Sequence, residues 1–183
     1  MLQWLRRRAS AGRRAKELYG GVVTAARQPI FYERLRVPDT PEGRFELVAL
    51  HLFLALESLE HQDRSGDLRQ RIIETFVTDM DDCMREMGVG DLSVPKKVRR
   101  AAAAFYERAS QYREGLAHGG RPTLEECLVR YVFSGNPPSQ DAVAELARYV
   151  REAASALSDR EFDAYVSSGE LERLLRSDEV RLP

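Results

Sequence analysis

The chain has 183 residues, 43% hydrophobic and 31% charged, with a formal net charge of −1. That length supplies one domain with a sizeable core, and the recurring aromatic and large aliphatic residues exclude a disordered chain. The charge is unevenly placed: residues 1–36 hold nine Lys/Arg against Glu17 and Glu33, and the remainder holds 19 basic and 27 acidic residues.

Taken in order, Ala11, Ala15, Leu18, Val22 and Ala25 recur at alternating spacings of four and three. This predicts an amphipathic helix that ends before Pro29. A short aromatic piece, Ile30-Phe31-Tyr32, leads into a loop with Pro38 and Asp39. Thr40 then precedes Pro41, an N-cap followed by proline in the first turn. The next helix, about Pro41 to His61, carries Phe45, Val48, Leu52, Leu56 and Leu59 on one face. Leu47, Leu50 and Leu54 widen that face until most of the cylinder is apolar, which marks the central helix of a bundle.

After Gly66 a helix is predicted over Asp67–Met87, with Ile72, Phe76, Met80, Cys83 and Met87 in register and Gly88 and Gly90 as its stop. Another starts near Ser93-Val94-Pro95 and runs through Val98, Ala102, Phe105, Ala109, Tyr112 and Leu116 to Gly119-Gly120. Capping boxes open three later segments: Thr123 with Glu126, Ser158 with Glu161, and Ser167 with Glu170. Asn136-Pro137-Pro138 breaks the chain, and Ser139 caps a helix through Leu157. The expected fold is all-α, a single-domain orthogonal or irregular bundle of seven or eight helices. A basic N-terminal arm and helix (1–28) precedes the main helical domain (29–183).

The longest apolar run, Val48 to Leu56, is nine residues, whereas a membrane-crossing helix needs roughly 20. The start places charge after its apolar residues, unlike a secretory signal. Cys83 and Cys127 lack a CxxC or His/Cys pattern and read as small core hydrophobes in a reducing compartment. The expected location is the bacterial cytoplasm, peripheral on the inner membrane, or the matrix side if the source is eukaryotic.

Phosphate-loop, dinucleotide, zinc-protease and nucleophile-elbow motifs are absent from the sequence. The densest polar cluster is 79–86, where Asp79, Asp82 and Glu86 fall within about 60° on a helix and Asp81 points away. Arg85 and Asp91 flank it, and Lys96, Lys97, Arg99 and Arg100 crowd the start of the next helix. Cations there oppose the helix dipole, so an anion is expected nearby. Either the acidic ridge pairs with the basic turn internally, or one charge set is exposed to a partner. Met80, Met84 and Met87 share a side, either as core or as an adaptable apolar contact.

Trp4, with Leu2 and Leu5, precedes Arg6, Arg7 and Arg8; together with Arg13 and Arg14 they make a candidate contact with an anionic membrane or with ribosomal RNA. His118 lies at a helix end, His61 near another, and His51 on the apolar central helix. His51 reads as a hydrogen-bonded core histidine; an enzymatic alternative sets it beside Asp79 and Asp82 as a base. No cofactor is implied, and catalytic and metal residues are not assigned.

From Phe45 through Leu116 the chain resembles the ubiquinol–cytochrome c chaperone family. The residues that carry the likeness are His51, Phe76 ahead of Asp79-Met80-Asp81, and Arg85-Glu86. Gly88-Val-Gly-Asp-Leu92 with Lys96-Lys97, then Tyr112 and Leu116, complete it, whereas Glu107 stands where the family pattern has glycine. The resemblance implies a non-enzymatic assembly factor for the cytochrome bc1 complex (respiratory complex III). It would bind newly made cytochrome b with a small co-chaperone protein, near the ribosome. A helical adaptor for RNA, ribosome or membrane is the alternative from another class.

Overall fold

The computed structural model describes residues 2–60 and 66–159, and the side chains within 11–60 and 66–157. Seven helices are present among them and no strand: α1 (Leu2–Ala26), α2 (Pro29–Glu33), α3 (Pro41–Glu60), α4 (Asp67–Glu86), α5 (Val94–Leu116), α6 (Leu124–Tyr131) and α7 (Gln140–Asp159). The aromatic piece read as a connector is α2, a single turn that buries Phe31.

The helix starts follow the capping residues. Thr40 Oγ1 accepts from the Gly43 amide at 3.1 Å, and Ser139 Oγ accepts from the Ala142 amide at 3.1 Å. Thr123 and Glu126 form a reciprocal capping box at α6. These bonds satisfy amides that a helix start leaves open. Ser158, expected to cap a new helix, instead lies in the last turn of α7; Glu161 and the pair Ser167–Glu170 fall outside the described residues.

The α3 helix is buried around most of its circumference, through Leu47, Ala49, Leu50, His51, Leu52, Phe53, Leu54 and Ala55. Its neighbours supply the rest of the core. Leu18, Val22 and Ala25 come from α1, Phe76 from α4, Phe105 and Tyr112 from α5, and Leu146, Tyr149 and Val150 from α7. An aromatic chain runs through the centre: Tyr19 lies 6.3 Å from Phe76, and Phe76 lies 6.3 Å from Phe45 and 5.5 Å from Phe105. Edge-to-face and offset contacts of this kind add to simple area burial.

The pairings set the direction of each helix. Gly12 of α1 lies beside Arg71 of α4, and Tyr19 of α1 donates to Asp79 of α4 at 2.7 Å, so α1 and α4 run parallel. Phe76 faces Phe105, while the start of α4 meets Arg113 near the end of α5 across a cleft; those two helices are antiparallel. The beginning of α1 and the α4–α5 turn therefore lie at opposite ends of α4, about 30 Å apart at 1.5 Å per residue.

Candidate functional site

The α4–α5 turn is built by local geometry. The Gly88 amide donates to the Arg85 carbonyl at 2.9 Å and the Val89 amide to the Met84 carbonyl at 3.0 Å. This closes α4 in a Schellman motif, with Gly88 at φ 78°. Arg85 then holds the turn in shape. Its Nε donates to Asp81 at 2.6 Å, and its Nη1 donates to Asp91 in a short charged contact. Those two carboxylates raise the Arg85 pKa. Val94 and Val98 are buried beneath the turn.

This arrangement corrects several expectations. The acidic ridge does not pair with the basic turn: Asp79 accepts from Tyr19, and Asp81 and Asp91 share Arg85. Lys96, Lys97, Arg99 and Arg100 are exposed and, among the described residues, make no ion pair. Asp81, expected to point away, is half-buried in its pair. Asp82 and Glu86 are exposed. Cys83, read as core, is exposed, whereas Cys127 is buried. Met80 is partly buried against the core, while Met87 is 63% exposed and Leu92 is 99% exposed. The apolar register of α4 is regular, but its neighbours cover only Ile72 and Phe76 fully.

The basic N-terminal set lies elsewhere. Trp4, Arg6, Arg7 and Arg8 fall in the opening turns of α1, where only the backbone is described; Arg13 is exposed and Arg14 half-buried. They sit at the end of α4 remote from the α4–α5 turn. The structure thus separates the two candidate contact regions.

His51 is 1% exposed. Its Nδ1 lies 2.7 Å from the Leu47 carbonyl and its Nε2 lies 2.9 Å from the Tyr149 hydroxyl. The neutral ring donates from Nδ1 and accepts the hydroxyl proton at Nε2. Phe31 packs edge-on against it at 5.2 Å. Both nitrogens are therefore occupied on the α2 and α7 side of α3, while Asp79 is engaged by α1. The enzymatic alternative needed these groups together, and the fold does not bring them together.

Burial lowers the His51 pKa from 6.5 to about 4. Below pH 6.5 the unfolded chain takes up a proton that the folded one refuses, so stability falls as pH drops toward 4. By pH 5 the loss is about 2 kcal/mol at 1.36 kcal/mol per unit. Chemical unfolding at pH 7 and pH 5 measures this, and His51→Gln is expected to remove about one proton from the slope. An unchanged slope in that variant would refute the neutral, buried ring.

A second feature was not anticipated. Between α3, α4 and α5 lies a cleft of about 290 Å³, floored by Phe53, Leu56, Ile73, Phe105 and Ala109. Tyr106 stands at its edge, 54% exposed. Arg113 pairs with Glu57 across its rim, Nε to Oε2 at 3.0 Å, and Arg69 lies 3.9 Å from Glu60. The only sequence signal was Tyr106 beside Phe105, one step off the buried stripe. Glu107, the departure from the family pattern, accepts from Tyr131 at 3.3 Å.

The sequence profile described as ubiquinol–cytochrome C chaperone matches residues 33–171. The crystal structure of the Cbp3 homolog from Brucella abortus superposes with a TM-score of 0.75 at 33% identity, covering 91% of this chain and 92% of that one. Ubiquinol–cytochrome c reductase complex assembly factor 1 of Xenopus laevis is 23% identical over 142 residues, covering 77% of this chain and 70% of the frog protein. The Mus musculus and Homo sapiens proteins of the same name are 26% and 27% identical over 161 residues. Those matches cover 86% of this chain but only 53% and 52% of the mouse and human proteins.

Proposed function

Because the chain belongs to the ubiquinol–cytochrome c chaperone family, we propose that it is a non-enzymatic assembly factor that holds newly made cytochrome b while the cytochrome bc1 complex is built. The observation that carries this reading is the match along 33–171 together with likeness to proteins named as assembly factors of that complex. Two features of the fold support it. His51 is a core residue, and at the α3–α4–α5 cleft Tyr106 is exposed and Leu56, Ile73 and Ala109 are partly so, apolar surface suited to a client rich in membrane-spanning helices. We place the protein in the bacterial cytoplasm, peripheral on the inner membrane.

Deleting the gene and recording the reduced-minus-oxidised spectrum of washed membranes tests the reading. Loss of most of the b-type haem signal belonging to the bc1 complex is expected, with restoration by the full chain. Normal bc1 spectra in the deletion strain would remove the proposal.

A further inference from the structure

The α4–α5 turn combines two features that water alone does not favour. Its apex carries Leu92, 99% exposed, with Met87 at 63% beside it. One helical turn further on, Lys96, Lys97, Arg99 and Arg100 are exposed at the start of α5, a helix with no acidic residue in its first turn and no side-chain cap from Ser93. Cations at that end oppose the helix dipole. Asp81 and Asp91 do not relieve them, because both are committed to Arg85. Asp82 and Glu86 are the remaining acids of the turn, two unpaired anions against four unpaired cations.

The turn also lies beyond the fully buried part of α4. Eleven residues separate Phe76, the last residue of α4 that is fully buried, from Met87; this is about 16 Å of helix. The buried pair Val94 and Val98 lies outside the main core cluster and stiffens the projecting turn from within. The result is a projecting apolar apex backed by a cationic collar one turn, about 5 Å, behind it. That spacing matches a phospholipid headgroup layer, where apolar side chains settle about 5–10 Å deep and cations meet the phosphates.

We propose that the α4–α5 turn docks on an anionic phospholipid surface, with Leu92 and Met87 entering the headgroup layer and Lys96, Lys97, Arg99 and Arg100 engaging its phosphates. This contact is distinct from the basic start of α1, at the other end of the molecule, and it does not depend on the identity of the client.

Flotation of the full chain with vesicles of phosphatidylcholine, with and without 30 mol% phosphatidylglycerol or cardiolipin, tests it. Recovery with the anionic vesicles, little with the neutral ones, and loss in 0.5 M salt are expected. Leu92→Asp and the pair Lys96→Glu/Lys97→Glu should each lower partitioning at least tenfold while the melting temperature stays unchanged. Arg6→Glu/Arg7→Glu/Arg8→Glu should retain most of the binding. Failure of the wild-type chain to float, equal flotation with neutral vesicles, or loss confined to the Arg6–Arg8 variant would each overturn the proposal. So would turn variants that float normally but no longer recover cytochrome b, because the turn would then be a grip on protein. A deletion strain with normal bc1 spectra, alongside turn-dependent flotation, leaves lipid docking standing and removes the chaperone reading alone.

Discussion

Arg108→Ala is expected to lower the stability of the protein by about 3–5 kcal/mol, the usual cost of leaving one member of a buried ion pair alone. Arg108 donates to Glu46 through both arms of its fork, Nε to Oε2 at 2.7 Å and Nη2 to Oε1 at 2.6 Å. The side chains are only 17% and 9% exposed. The guanidinium also lies 4.7 Å from the centre of the Tyr131 ring and donates to the Ala104 carbonyl at 3.0 Å. It therefore ties α3, α5 and α6 at one point. Burial already pushes the Glu46 carboxyl above its ordinary value, an effect that Arg108 only partly offsets. Without Arg108 the folded state should take up a proton there more readily than the unfolded chain. The deficit of the variant should then be larger at pH 8 than at pH 5, the direction set by a native carboxyl with a raised pKa. Denaturant unfolding at both pH values measures it. Replacing both partners, Glu46→Leu with Arg108→Met, should recover much of the loss, because no charge is then left buried. A single variant as stable as wild type would show that the pair carries no structural weight.

Gly43→Ala is the second large effect. A β-carbon built at Gly43 would sit 2.0 Å from the Pro38 carbonyl oxygen and 3.0 Å from its carbon. That neighbour is backbone, so it cannot swing aside as a flexible side chain would. The loop before α3 must move, and with it the Thr40 cap that receives the Gly43 amide. Strain of this kind, plus a loosened cap, is expected to cost about 3 kcal/mol or more. Thermal unfolding monitored by circular dichroism would show it as a drop of several degrees. Gly20→Ala is the control, because nothing lies within 4 Å of a β-carbon there and alanine is the better helix former. Equal melting temperatures for the two variants would mean that the Pro38 loop yields freely.

These cases also show what could be read from the chain and what could not. Thr40, Thr123 with Glu126, Ser139 and Gly88 acted where they stand because capping is a local matter, decided within four residues of the helix end. The centrality of α3 was legible for a related reason: a helix apolar on most sides has nowhere to go but the middle. Cys83 lies in register with the apolar stripe and is nonetheless exposed, because periodicity tells which side of a helix is apolar, not how fully a neighbour covers it. α1 and α5 flank α4 along most of its length, yet they cover only Ile72 and Phe76 fully. Of the two readings of the charged turn, internal pairing or an exposed charge set, the structure shows the basic set exposed. Opposite charges close in sequence invite pairing, yet Arg85 captured Asp81 and Asp91 while Tyr19, 60 residues away, took Asp79. Contacts of that span, like Glu46 with Arg108 and His51 with Tyr149, depend on how the helices are laid against one another. Nothing in the spacing along a single helix announces them.

The contact between His51 and Tyr149 spans 98 residues, and it sets a schedule for the protein's own synthesis. The greasiest helix leaves the ribosome early, while α7, which seals one of its sides, is translated near the end of the described chain. At 5–20 residues per second that interval lasts roughly 5–20 s. For that time the nascent chain presents the kind of surface that aggregates, so a member of a chaperone family must first pass through that hazard itself.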